Sequence, residues 1–218
     1  MLDYTFDAAF SERFGVVCGT DEAGRGPLAG PVVAAAVVLP EGLVIEGLDD
    51  SKKLTEKKRE KLFDEIISSA VAFGIAESTA EEIDRYNILA ASLLAMRRAV
   101  AKVKEAVTPD VVLIDGNRQT DFGVTSITVV KGDATSQSIA AASVLAKVTR
   151  DRLMERLDAK YPEYNFKKHK GYPTKEHMLA VYEFGPCPIH RRSFLSFLEK
   201  DRGKLEAALK AKKAAEAE

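Results

Sequence analysis

The 218-residue sequence has only two cysteines, Cys18 and Cys187, and they offer neither CxxC spacing nor a disulfide framework. A secreted cystine scaffold and a cysteine-ligated zinc module are therefore excluded. No apolar run approaches the ~20 residues that span a bilayer; the longest is Val32 to Leu39. The opening residues MLDYTFDAAFSERFG carry acids and no extended apolar core, so no signal peptide is expected. GxxxxGK[ST] does not occur, which removes a P-loop. Neither charge sign dominates, with Lys+Arg 32 against Asp+Glu 33. Overall charge thus selects no partner.

What is present reads as a globular, cytoplasmic protein, with 46% hydrophobic and 30% charged residues. Charge is unevenly spread. Between Lys147 and Arg192 eleven basic residues face six acids, leaving an acidic remainder. A basic C-terminal third can attract a polyanion, although solvated helices often carry such asymmetry.

Periodicity predicts five strands: Val16 to Thr20, a run between Pro31 and Pro40, residues 71–78, Val111 to Asp115 and Ser126 to Val130. Helical spacing follows Thr55, a predicted N-cap, then runs from Asn87, from Ser138 to Lys160, and from Ser193 to Glu218. Ser78 and Thr79 each begin a capping-box pattern. The run Lys57-Lys58-Arg59 reads as a solvated helix face. Residues 1–192 are expected to form one α/β domain and residues 193–218 a helical extension.

Asp21 and Glu22 follow the first strand, Asp115 ends the fourth, and Asp133 sits just after the fifth. Ligand sites of open α/β sheets gather beyond the carboxyl ends of strands. If the first and fourth strands are neighbours, these acids converge. Any one of them alone is more often a turn former or helix cap. Together they would repel unless a cation neutralised them, and an all-oxygen set suits Mg²⁺ or Mn²⁺. Next comes Gly24-Arg25-Gly26, where glycines permit close backbone approach and Arg25 offers a forked cation to phosphate. DEAGRGPLAG also approaches a dinucleotide fingerprint, but a strand follows it where that motif needs a helix. His169, His177 and His190 show no metal-binding spacing, and structural or surface roles are expected. Cys18 is expected to be buried.

The string TDEAGRGPLAGPVVAAAV resembles the signature of bacterial ribonuclease HII. DDSKKLTEKKRE, EIDRYNILAASLLAMRRAV, VLIDGN, VVKGD, SIAAASVLAKVTRDR, YPEYNFKKHKGYPT and HRRSF resemble the same family in the same order, from about Val16 to Phe194. The related ribonuclease HIII carries a lysine at the position of Arg25 and a further N-terminal domain. The resemblance implies an α/β ribonuclease H-like fold, a mixed five-stranded sheet flanked by helices. It also implies hydrolysis of the RNA strand of RNA–DNA hybrids, and incision 5′ of single ribonucleotides in duplex DNA. Cleavage would use two metal ions and leave 3′-hydroxyl and 5′-phosphate ends. Asp21, Glu22, Asp115 and Asp133 match the family's catalytic, metal-binding carboxylates. Gly24, Arg25 and Gly26 match its loop that senses the ribose 2′-hydroxyl, and Tyr172 matches a tyrosine that stacks beyond the RNA-to-DNA junction. Lys52 and Lys53, in a stretch that resembles the family's DSKKL, and Lys147 and Arg150, one turn apart on a helix, are expected to contact phosphates, and Asn87 to cap a helix rather than meet the DNA backbone. The apolar group Phe194, Leu195, Phe197 and Leu198 is expected to cover the core, or else to engage a sliding clamp. A monomer is expected. Two other readings stay open at this point, a junction-resolvase type of metal nuclease and a non-catalytic nucleic-acid binding module.

Overall fold

The structure, a computed structural model, describes Leu2 and residues 4–215. Five strands, β1 (Val17–Ala23), β2 (Val32–Val38), β3 (Ala72–Ser78), β4 (Val111–Asp115) and β5 (Thr125–Val129), form one sheet in the order β3-β2-β1-β4-β5. β1 pairs antiparallel with β2 and parallel with β4, while β3 and β5 extend those two directions outward. The expected mixed five-stranded sheet is the one observed. Nine helices are described: α1 (Tyr4–Phe14), α2 (Glu56–Ser69), α3 (Ala80–Tyr86), α4 (Ile88–Lys104), α5 (Gln137–Lys160), α6 (Phe166–His169), α7 (Lys175–Phe184), α8 (Phe197–Lys200) and α9 (Arg202–Ala215). No described helix is long and apolar enough to cross a membrane.

Side chains alternate across a strand, and β2 uses both of its faces. Ala35 and Val37 join the cluster built with α2 and α5, whereas Val32, Ala34, Ala36 and Val38 join the one built with α4. Small residues let the helices approach closely. A Cβ added to Gly19 would fall inside contact distance of the α5 backbone at Ser138 and Ile139. The long α5 therefore lies directly on β1, with its N-terminal turn over Gly19 at mid-strand and its Arg150 beneath Gly24 just past the strand's carboxyl end.

Several local expectations hold. Thr55 caps α2, and Asn87 caps α4 by accepting from Leu89 and Ala90. Of the two capping boxes Thr79 with Glu82 forms, because Ser78 is still paired with Val32 in the sheet. Cys18 is fully buried. Arg59 departs from its solvated neighbours, since its guanidinium turns inward to the carbonyls of Ser51 and Leu54. α1 and α7 were not anticipated.

The single C-terminal helix expected over 193–218 is instead broken, with residues 216–218 lying outside the described residues. Asp84 accepts from the main-chain N–H groups of Arg192 and Ser193 and holds that segment in a short turn. Leu195 is buried, and Phe194, Phe197 and Leu198 pack onto the cluster around Met154 and Phe166, which bears out their core-covering role. α9 begins just after Asp201, whose carbonyl accepts from Lys204 and Leu205.

Candidate active site

β1 runs further than its apolar stretch suggested. Asp21 and Glu22 are strand residues, paired with Ala35 and Ala34 of β2. Strand alternation then separates them. Asp21 shares the face of Val17, and Asp115 shares the face of Val111 and Leu113, the side packed against Ile139 of α5. The parallel register pairs Thr20 with Ile114, so the next residues, Asp21 and Asp115, project side by side. Asp133 arrives from the turn before α5, where Lys131 adopts a left-handed conformation with φ of 56°. Its N–H donates to Asp115 Oδ1 at 3.3 Å.

One carboxylate oxygen from each of Asp21, Asp115 and Asp133 lies within 4.8 Å of the others. Glu22 points to the opposite face, where its Oε1 meets Arg25 Nη1 at 3.2 Å. The structure thus gathers three of the four predicted acids into one cluster and sets the fourth at its border.

The cluster is electrostatically strained. Burial, then Glu22 and Asp115, push the Asp21 carboxyl well above its ordinary value. Burial also raises Glu22, opposed by Arg25, and burial with Asp133 raises Asp115. Lys52 Nζ lies 3.3 Å from Asp133 Oδ2 and supplies one counter-charge. Partial burial works against the charge on Lys52, but Asp133 outweighs it and raises the lysine's pKa. Three crowded carboxylates, grouped with no histidine or cysteine among the described residues, fit a hard divalent cation such as Mg²⁺ or Mn²⁺.

The Gly24-Arg25-Gly26 loop leaves β1 directly beside these acids. Gly24 has φ of 97°, and an added Cβ would collide with the Arg150 side chain beneath it, so glycine is required twice over. Arg25 and Gly26 are exposed. Tyr172 is 41% exposed, and its ring edge lies 3.7 Å from where a Gly26 Cβ would stand. Loop and tyrosine therefore form one surface.

A family model described as Ribonuclease HII matches residues 18–197. The chain belongs to the ribonuclease HII family. The ribonuclease HII of Paracidovorax citrulli (strain AAC00-1) is 59% identical over 180 residues, covering 83% of this chain and 74% of that protein. The crystal structure of ribonuclease H2 from Pyrococcus horikoshii OT3 is similar with a TM-score of 0.65 and 30% identity, over 88% of this chain and 99% of that one. Ribonuclease HII of Archaeoglobus fulgidus, solved as a complex with PCNA, has a TM-score of 0.65 at 26% identity, over 82% of this chain and 95% of that one.

In this member of the ribonuclease HII family two further groups support the site. Arg150, expected among the phosphate contacts, is buried and donates to the carbonyls of Pro31 (3.1 Å), Lys170 (3.0 Å) and Ala29 (3.1 Å). It turns inward because its place on α5 lies under the loop. Burial lowers its pKa to about 10, and burial with neighbouring Arg150 lowers Arg191 to about 9, so both stay charged at neutral pH. Lys147 is half-buried and pairs with Asp151 at 2.7 Å.

The second group is the three histidines, which sequence spacing did not connect. His190 Nδ1 accepts from the Cys187 N–H, which leaves its Nε2 as donor to His177 Nε2 at 3.0 Å. His177 Nδ1 in turn donates to the Tyr172 carbonyl at 2.9 Å. His169 stacks on His177 with ring centroids 4.4 Å apart. This run of neutral imidazoles tethers the main chain of Tyr172.

Burial lowers both His177 and His190 from 6.5 to about 4. The unfolded chain therefore binds protons first on acidification. The stabilisation is complete above about pH 6.5, falls through the window to about pH 4, and amounts to on the order of 3 kcal/mol for each imidazole. Urea midpoints measured from pH 7 to pH 4 should fall steeply for the parent and less steeply for His177→Gln. Equal slopes would remove this account.

Proposed function

We propose that this chain hydrolyses the RNA strand of RNA–DNA hybrids and incises duplex DNA on the 5′ side of a single embedded ribonucleotide, leaving 3′-hydroxyl and 5′-phosphate ends. The observation that carries the reading is the Asp21, Asp115 and Asp133 cluster lying against a glycine-rich loop in a member of the ribonuclease HII family. Asp21, Asp115 and Asp133, with Glu22 at their border, would hold Mg²⁺ or Mn²⁺, two ions once substrate is bound. A divalent cation there lowers the pKa of water and offsets charge developing on the phosphoryl oxygens.

The chain's own groups do the selecting. Gly24 and Gly26 let the backbone approach the ribose, and the 2′-hydroxyl is the group that distinguishes RNA from DNA. Arg25 reaches the adjoining phosphate from its tether on Glu22, and the exposed Tyr172 ring offers a stacking platform. Lys52 and Lys147 would contact flanking phosphates after exchanging their carboxylate partners for substrate. Arg25→Ala should lower the preference for a ribonucleotide duplex over the all-DNA duplex by about tenfold. Competitive binding of the two duplexes checks this, and an undiminished preference counts against Arg25.

A sliding-clamp contact through residues 193–218 belongs to the same proposal, supported by the Archaeoglobus relative solved with PCNA. So do a monomeric state, a cytoplasmic location and a division into residues 1–192 and 193–218. The deciding experiment uses a DNA duplex with one embedded ribonucleotide, an all-DNA control, and Mg²⁺, Mn²⁺ or EDTA. Metal-dependent incision 5′ of the ribonucleotide, with the control intact, is the expected outcome. Cleavage of both duplexes would point to a general nuclease or resolvase, and binding without incision to a silent module.

A further inference from the structure

Arg191 is fully buried, and its side chain bonds to the main chain of the sensing loop. Nε donates to Gly30 O at 2.9 Å, Nη1 to Arg25 O at 2.9 Å and Pro27 O at 2.8 Å, and Nη2 to Gly24 O at 2.6 Å. No carboxylate among the described residues forms an ion pair with it. A buried guanidinium in this position relies on carbonyl dipoles for its solvation, so loop and charge hold each other in place. The backbone of Arg191 is fixed too, through its N–H to Leu28 O at 2.8 Å and the bridge between Ala29 and His190.

This arrangement has a directional consequence. In a trans peptide the N–H points opposite to the C=O, and no peptide bond in the described chain is cis. With the Gly24 and Arg25 carbonyls turned toward Arg191, the N–H groups of Arg25 and Gly26 point away from it. Neither has an acceptor among the described residues. Successive N–H groups over a buried positive charge form a recess suited to a phosphate oxygen or a ribose hydroxyl. The carbonyl bonds also polarise the same peptides and strengthen those donors.

We infer that Arg191 is a positioning residue for ribonucleotide recognition, acting without touching substrate by turning the Gly24 and Arg25 carbonyls inward and their neighbouring N–H groups toward the ribonucleotide. The inference rests on the reading of Gly24-Arg25-Gly26 as the 2′-hydroxyl sensor. Lysine keeps the charge but has one nitrogen where arginine has a planar fork, so it cannot hold four carbonyls in this geometry.

The test compares wild type, Arg191→Lys and Arg25→Ala as full chains. Each is titrated in EDTA with a duplex bearing one ribonucleotide and with the identical all-DNA duplex. Arg191→Lys should lose roughly tenfold in the ratio of the two affinities while binding all-DNA duplex as wild type does. Simple destabilisation would scale both affinities alike and leave the ratio unmoved. A full ratio in Arg191→Lys alongside a reduced ratio in Arg25→Ala overturns the inference and leaves the sensor reading standing. Absence of any preference in wild type overturns the sensor reading itself. Should Arg191→Lys not fold, ¹⁵N-arginine-labelled wild type replaces it. The Arg191 Nη resonances should then shift with the ribonucleotide duplex and not with all-DNA, and identical responses overturn the inference.

Discussion

Asp21→Asn is expected to reduce cleavage of a ribonucleotide-containing duplex by at least about a thousandfold, equivalent to roughly 4 kcal/mol of barrier, while changing affinity for that duplex little. Asparagine preserves the shape and the Oδ1 acceptor that takes the Glu22 N–H at 2.7 Å, so local geometry should survive. What disappears is one of the three converging negative charges. The same substitution should stabilise the protein in EDTA. The Asp21 pKa is raised well above its ordinary 3.8, so the folded chain resists this ionisation and loses stability as pH rises from about 3.8 through the raised value. Neutralising the position should raise Tm by about 2–4 °C for each kcal/mol recovered. Added Mg²⁺ or Mn²⁺ should raise the Tm of the parent more than that of the variant. Near-normal turnover by Asp21→Asn would end the catalytic assignment, whatever the Tm does.

Replacing Arg150 with Met should cost roughly 3 kcal/mol of stability, with Tm falling by about 6–12 °C. The variant leaves the carbonyls of Ala29, Pro31 and Lys170 without their donor, and removal of a buried charge returns part of that loss. A phosphate-binding arginine behaves differently. Its loss leaves stability nearly unchanged and reduces by about one the slope of log affinity against log salt. Thermal melts and a salt titration on one duplex separate the two. A stable variant with a shallower slope would restore Arg150 to the surface role that its spacing from Lys147 suggested.

The two arginines show where linear reading stops. Lys147 and Arg150 lie one turn apart on α5 and look alike as basic residues, yet Lys147 is half-buried in an ion pair while Arg150 is buried beneath the loop. HRRSF was recognisable as a motif, but nothing in its spelling says that Arg191 turns inward while Arg192 stays exposed. The histidines behave similarly. Positions 169, 177 and 190 carry no regular spacing, and the turns around α6 and α7 bring them together. A buried arginine leaves no periodic signature, since the carbonyls that Arg150 and Arg191 reach lie mostly far along the chain, and the histidines are joined by turns and not by a repeat.

The sequence by itself determined the order of the strands along the chain, the long helices and the caps at Thr55, Thr79 and Asn87, the acids at strand ends and the glycines beside them. Those features depend on local propensity, period and short motifs, which are written in consecutive residues. Tertiary structure alone decided the rest. The parallel register of β1 and β4 set Asp21 beside Asp115, and strand alternation placed Glu22 on the other face with Arg25. Close approach of α5 at Gly19 brought the turn holding Asp133 to the same point. Direction and burial are properties of packed elements, and no side chain acquires them until its neighbours from distant segments are in place.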